Sequence, residues 1–144
     1  MLVMNSPETT SFSDLALLRM LSSRSHRPNL MIMYKTVPVK SVVEQLAPAW
    51  EAPIQVRRFP GILDLPPYMY GTLVLADIDQ LTISQQIWLS DWLGRKGNDV
   101  QVVSITRAPM DELVFEGRFL EGLFYRLNTV VVRETDARRY LPSW

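Results

Sequence analysis

The chain is 144 residues long, 47% hydrophobic and 21% charged, the balance of an ordinary globular domain, which excludes a disordered or fibrous protein. Folding a chain of this size buries roughly two-thirds of its surface, enough for one core. Fifteen basic side chains balance fifteen acidic ones, seven against four in the first 60 residues and eight against eleven in the rest, a split too mild for a nucleic-acid footprint. There is no cysteine, which excludes disulfides, thiolate metal centres and a cysteine nucleophile. No apolar run reaches the roughly 18 residues of a membrane span, and the start shows no basic cluster of a secretory signal, so the cytoplasm is the expected compartment.

In chain order, residues 1–12 read as a flexible N-terminal segment that is ordered only if docked. Residues 13–133 follow as a single domain and 134–144 as a polar tail. Ser13 caps an expected helix over 14–22, with Leu15, Leu18 and Leu21 on one face. The run NLMIMY at 29–34 is the pattern of a strand buried on both sides. Pro38 opens a helix to about Ala47 that turns Val39, Val42, Val43 and Leu46 inward, and Pro48 stops it. A strand is expected over 53–59, then a Pro- and Gly-rich loop, then a second apolar strand, TLVLA at 72–76, entered at Gly71.

Thr82 and Gln85 form a capping box for a helix to Leu93, with Gly94 as its stop. Asn98 and Asp99 read as a turn before a strand over 100–105. A short helix runs from Pro109 to near Gly117, another spans about 118–128, and TVVV at 129–132 is the last strand. Five apolar strands alternating with helices predict an α/β fold, a parallel sheet covered on both faces.

Ligands of such sheets sit beyond the carboxyl ends of the strands, which directs attention to residues 34–40, 76–80, 105–108 and the approach to Thr129. YKTVPVKS at 34–41 has the layout of a phosphate loop, with Lys40-Ser41 in the place of its Lys-Ser/Thr. Yet a loop that wraps its amides around phosphate needs glycine, and the first glycine of the chain is Gly61. Pro38 has no N–H, and Val37 and Val39 are β-branched; a solvated lysine at a helix start is the competing reading. After the second apolar strand, Asp77 and Asp79 could hold Mg²⁺, or could form a strand-to-loop exit, with Ala76 in the first position. His26, the single histidine, reads as a surface residue. Trp88 and Trp92, four apart on one helix, read as core or interaction anchors. Arg57-Arg58 and Arg138-Arg139 read as solvated charge.

The segment GTLVLADIDQLTISQQIWLSDWLG followed by VQVVSITRAPMDELVFEGRFLEGLFYRLN, residues 71–128, resembles the AAA+ core of NtrC-type sigma-54 activators, the sigma-54 interaction domain, in degenerate form. The string EGRFxxxLFYRLN is the most specific part. The resemblance implies a P-loop NTPase-like fold with a five-stranded parallel sheet in AAA+ strand order. It places Tyr34, Val37 and Val39 where the family's phosphate loop has glycine, and Lys40 at its lysine. Ala76 stands at the Walker B aspartate, Asp77 at the water-activating glutamate, Arg107 at the sensor asparagine after Thr106, and Leu120 at the first arginine following GRF. Arg126 is retained.

The 17 residues between Pro53 and Gly71 leave no place for the family's GAFTGA insertion. The 16 residues after Asn128 leave none for its helical lid, and no helix-turn-helix follows. The resemblance therefore implies a protein-interaction or regulatory module in transcription control that is not an active enzyme. Expected partners are a sigma-54 activator, sigma-54 itself or a second copy, with neither direct DNA nor membrane binding. No cofactor or metal is expected. One alternative is weak ATP or ADP binding with Mg²⁺ through Lys40, Ser41, Asp77 and Arg126. Another is an α/β scaffold reused for an unrelated partner, with the face around Trp88 and Trp92 as the place to probe.

Overall fold

A computed structural model of the chain describes residues 2–4, 27–36, 38–95 and 99–133. The helix expected over 14–22, His26, Val37, Asn98 and the pair Arg138-Arg139 lie outside the described residues. Six parallel strands form one sheet: β1 (Leu2–Met4), β2 (Leu30–Met33), β3 (Ile54–Arg58), β4 (Tyr70–Ala76), β5 (Asp99–Thr106) and β6 (Val130–Arg133), in spatial order β1-β6-β2-β5-β4-β3. The five strands expected from the sequence are all present. The sixth, β1, falls in the stretch 1–12 expected to be flexible. Leu2–Met4 pair in register with Val130–Val132 and satisfy the outer main-chain groups of β6, the docking on which order in this stretch was expected to depend. Asp99, read as part of a turn, is the first residue of β5 and stands opposite Tyr70.

Among the described residues four α-helices cover the sheet: α1 (Val39–Leu46), α2 (Ile83–Leu93), α3 (Met110–Phe115) and α4 (Glu121–Leu127). α1 lies on one face, where Val39, Val42 and Leu46 pack with Leu30, Ile32, Val103 and Ile105. The other face carries α2, α3 and α4, through Leu89, Trp92, Met110, Leu123 and Leu127 against Met31, Leu73, Leu75 and Val102. The near-continuous apolar runs of β2, β4 and β5 follow from this double coverage.

Local chemistry sets the helix ends. The Thr82 hydroxyl accepts from the Gln85 N–H at 3.1 Å while the Gln85 side chain accepts from the Thr82 N–H at 3.0 Å, the capping box expected of this pair. α3 ends in a Schellman motif: Gly117 takes φ 76°, and the N–H groups of Arg118 and Gly117 donate to the carbonyls of Leu113 and Val114 at 2.9 and 3.1 Å. That turn leaves Leu120 extended, as the N-cap of α4, so the last helix starts at Glu121 and not near Arg118 as expected. Gly94 ends α2 at an ordinary φ of −82°. Its role is space, since a Cβ there would meet Nη1 of Arg126 at 3.2 Å.

Candidate functional site at the carboxyl edge of the sheet

The Tyr34 N–H donates to the Thr106 carbonyl at 3.0 Å, so the β2–β5 ladder runs on into the first residue of the would-be phosphate loop. The Tyr34 side chain is 1% exposed and packs among the α1-side core residues. Val39, a second position where the resemblance has glycine, is buried in the same cluster. Pro38 precedes α1 in an extended conformation, φ −63° and ψ 143°, with no side-chain cap. Lys40 and Ser41 occupy the first turn of α1. The Lys40 side chain is 78% exposed, and its closest carboxylate is Glu44, 3.9 Å away on the same helix.

At the end of β4, Ala76 is fully buried and offers no oxygen to a metal. Asp77 has a left-handed backbone, φ 59° and ψ 51°. Its N–H donates to the Ile105 carbonyl at 2.8 Å and its carbonyl accepts from the Gln80 N–H at 2.9 Å, which folds the chain into the short 3₁₀ turn Ile78–Gln80. Asp and Asn tolerate this conformation better than other side chains with a Cβ, so the residue type at 77 has a backbone reason. Asp79 accepts from the Thr106 hydroxyl at 2.9 Å, and that hydroxyl accepts from the Ala108 N–H at 3.0 Å. Asp79 and Thr106 thus tie the ends of β4 and β5 together. Among the described residues no three His, Asp or Glu side chains converge as a metal site.

Arg126 stands elsewhere. Its carbonyl accepts from the side chain of Asn29 at 2.9 Å, at the start of β2, and its guanidinium donates to the Ser90 carbonyl at 2.7 Å near the end of α2. The four residues of β2 span roughly 13 Å, so Arg126 does not share a site with Lys40, Ser41 or Asp77 within one chain. It lines a surface groove of about 470 Å³ together with Leu120 and Ile87.

Trp92 is fully buried, and its indole N–H donates to the Pro66 carbonyl at 2.6 Å. This corrects the expectation of an exposed face around both tryptophans: the loop after β3 folds back across the end of α2 and covers Trp92. Trp88 is 44% exposed and remains at the surface. Arg57 reads as expected in part: it pairs with Asp64 at 2.7 Å at the rim of β3.

A crevice of about 560 Å³ opens above the ends of β2, β5 and β6, between Tyr34, Arg107 and Arg133. The strand-end rule pointed to residues 34–40 and 105–108. Arg133 escaped notice; the signal was a basic residue closing the apolar run TVVV. Lys40, Ser41 and Asp77 do not line this crevice.

A parallel sheet whose five central strands, numbered without β1, run in the order 2-3-4-1-5, with helices on both faces, defines an α/β AAA+ core of P-loop NTPase type. The chain belongs to the Sigma-54 interaction domain family, which matches residues 61–136. It is 35% identical over 86 residues to the pathogenicity locus probable regulatory protein HrpR of Pseudomonas syringae pv. syringae, an alignment covering 52% of this chain and 27% of that protein.

Its fold is similar to that of NtrX from Brucella abortus, solved in complex with ATP, at a TM-score of 0.62 and 19% identity over 86% of this chain and 37% of that one. It is also similar to the P-loop NTPase domain of the sigma-54 transport activator from E. coli, at a TM-score of 0.53 and 17% identity over 77% of this chain and 98% of that one. The chain thus spans about a quarter of HrpR and little more than a third of NtrX.

Proposed function

We propose that this chain is a sigma-54-activator-type AAA+ core that does not turn over ATP and acts in transcription control by binding protein. The observation that carries the reading is Tyr34. It stands where the family has glycine, yet its N–H is bonded into the sheet and its side chain lies in the core, so the first amide of the loop is not available to a phosphate. Ala76 in the place of an acidic Mg²⁺ ligand supports the same conclusion, as does Leu120 in the place of an arginine. An arginine finger alone contributes about 10³–10⁵ in rate. With Mg-ATP, the full chain is expected to hydrolyse no more than buffer does and to give no calorimetric heat at millimolar nucleotide. Turnover above the blank overturns the proposal.

The partner chemistry follows from the retained scaffold. A copy seated beside a genuine activator AAA+ domain would present Leu120 where that neighbour needs a guanidinium, and so slow it. Co-purification with an activator AAA+ domain or with sigma-54 is expected, and failure with both removes this mechanism. ATP or ADP binding without hydrolysis is a second reading, favoured by the similarity to NtrX, whose structures hold ATP and ADP. Lys40, Ser41 and Asp77 would carry it in one chain, and Arg126 only toward a neighbouring copy. Saturable heat without turnover selects this reading.

A further inference from the structure

The crevice at the ends of β2, β5 and β6 lies where consecutive connections diverge. From β2 the chain crosses over α1 toward β3, on one side, and from β5 it crosses over α3 and α4 to β6, on the other. Such a switch point is where open parallel sheets take ligands, and about 560 Å³ is in the range of small-molecule sites. Its apolar wall is made by Met33, Tyr34 and Met110. Lys35, Arg107 and Arg133 bring positive charge to it.

Arg133 is the telling residue. Its Nε is buried with no hydrogen-bond partner, its Nη1 has the thioether sulfur of Met33 at 3.5 Å, and no carboxylate pairs with it among the described residues. A buried guanidinium donor without an acceptor is costly, and a thioether is a weak acceptor. An oxyanion entering the crevice would supply the missing acceptor to a planar fork suited to carboxylate and phosphate.

We infer that this crevice binds a small organic oxyanion, a carboxylate or phosphate monoester carried on an apolar body, held by Arg133 with Lys35 and Arg107. Asp111 and Glu112 also line the crevice. With three cations set against two carboxylates, a single oxyanion head is matched and a triphosphate is not. Lys40 and Ser41 lie outside the crevice, whereas Tyr34 and Arg107, which the resemblance sets at the phosphate loop and the sensor position, line it; the ATP arm of the test separates this site from nucleotide binding.

The test is a heteronuclear NMR titration of the full chain with phenyl phosphate, benzoate, inorganic phosphate, benzyl alcohol and ATP. Phenyl phosphate or benzoate is expected to shift the amides of Lys35, Arg107 and Arg133 saturably, and the tighter of the two assigns the head group. Inorganic phosphate, benzyl alcohol and ATP are each expected to bind that site at least about tenfold more weakly, because each lacks one half of the match or brings excess charge.

Arg133→Gln is expected to weaken the tighter probe about tenfold or more, and Arg107→Gln, at an exposed position, to weaken it by a smaller factor. Lys40→Ala is expected to leave it unchanged. Absence of saturable shifts with both aromatic probes at about 10 mM overturns the inference. So does equal affinity in both arginine variants that retain a folded spectrum, or a loss of affinity in Lys40→Ala.

Discussion

Two groups of polar side chains in this molecule differ in how completely they are met. On the face carrying α2 and α4, Gln86 is 1% exposed; its amide nitrogen donates to the carbonyls of Leu81 and Arg118 at 3.2 and 3.1 Å, and its oxygen accepts from the Leu120 N–H at 2.8 Å. Asn29 accepts from the Val102 N–H at 3.0 Å while donating to the Arg126 carbonyl. At the carboxyl edge of β2, by contrast, Lys40 extends into solvent and the Nε of Arg133 lacks a partner among the described residues. At the end of β2 a large side chain, Tyr34, has joined the core.

Three substitutions break or sharpen this contrast. Tyr34→Gly is expected to destabilise the fold by about 4 kcal/mol, through the cavity and the added backbone freedom. A loss of unfolding free energy under about 1 kcal/mol by urea denaturation would show that the ring is not part of the core. Gln86→Leu leaves two carbonyls and one N–H without their partner and is expected to cost about 2–3 kcal/mol by urea denaturation; a neutral result would remove the claim that this side chain joins α2 to the start of α4. Lys40→Ala is expected to stay within about 0.5 kcal/mol, since its pairing with Glu44 is exposed. A larger loss would show that Lys40 supports the loop structurally.

Much of the fold was legible because apolar runs buried on both faces admit few arrangements. LMIM, TLVLA and VQVVSI each became a strand, and the Thr82–Gln85 pair formed its capping box. What escaped was governed by contacts distant in sequence. Leu2–Met4 is too short to read as a strand until β6 offers a partner. The covering of Trp92 depends on the carbonyl of Pro66, in a loop whose path the sequence does not dictate. The left-handed Asp77 was invisible because Asp is a common residue at any strand exit. Tyr34, Val39 and Ala76 drew attention through the resemblance alone. That Tyr34 fills the core and that Arg126 sits at the opposite end of β2 required the fold.

Because β1 occupies the outer side of β6, that margin of the sheet is already taken. Among the described residues the sheet ends at β1 on one flank and at β3 on the other, and at β3 Arg57 and Arg58 put charge where an incoming strand from another molecule would have to align. Fibre-like stacking through main-chain pairing is thereby discouraged on the β3 flank.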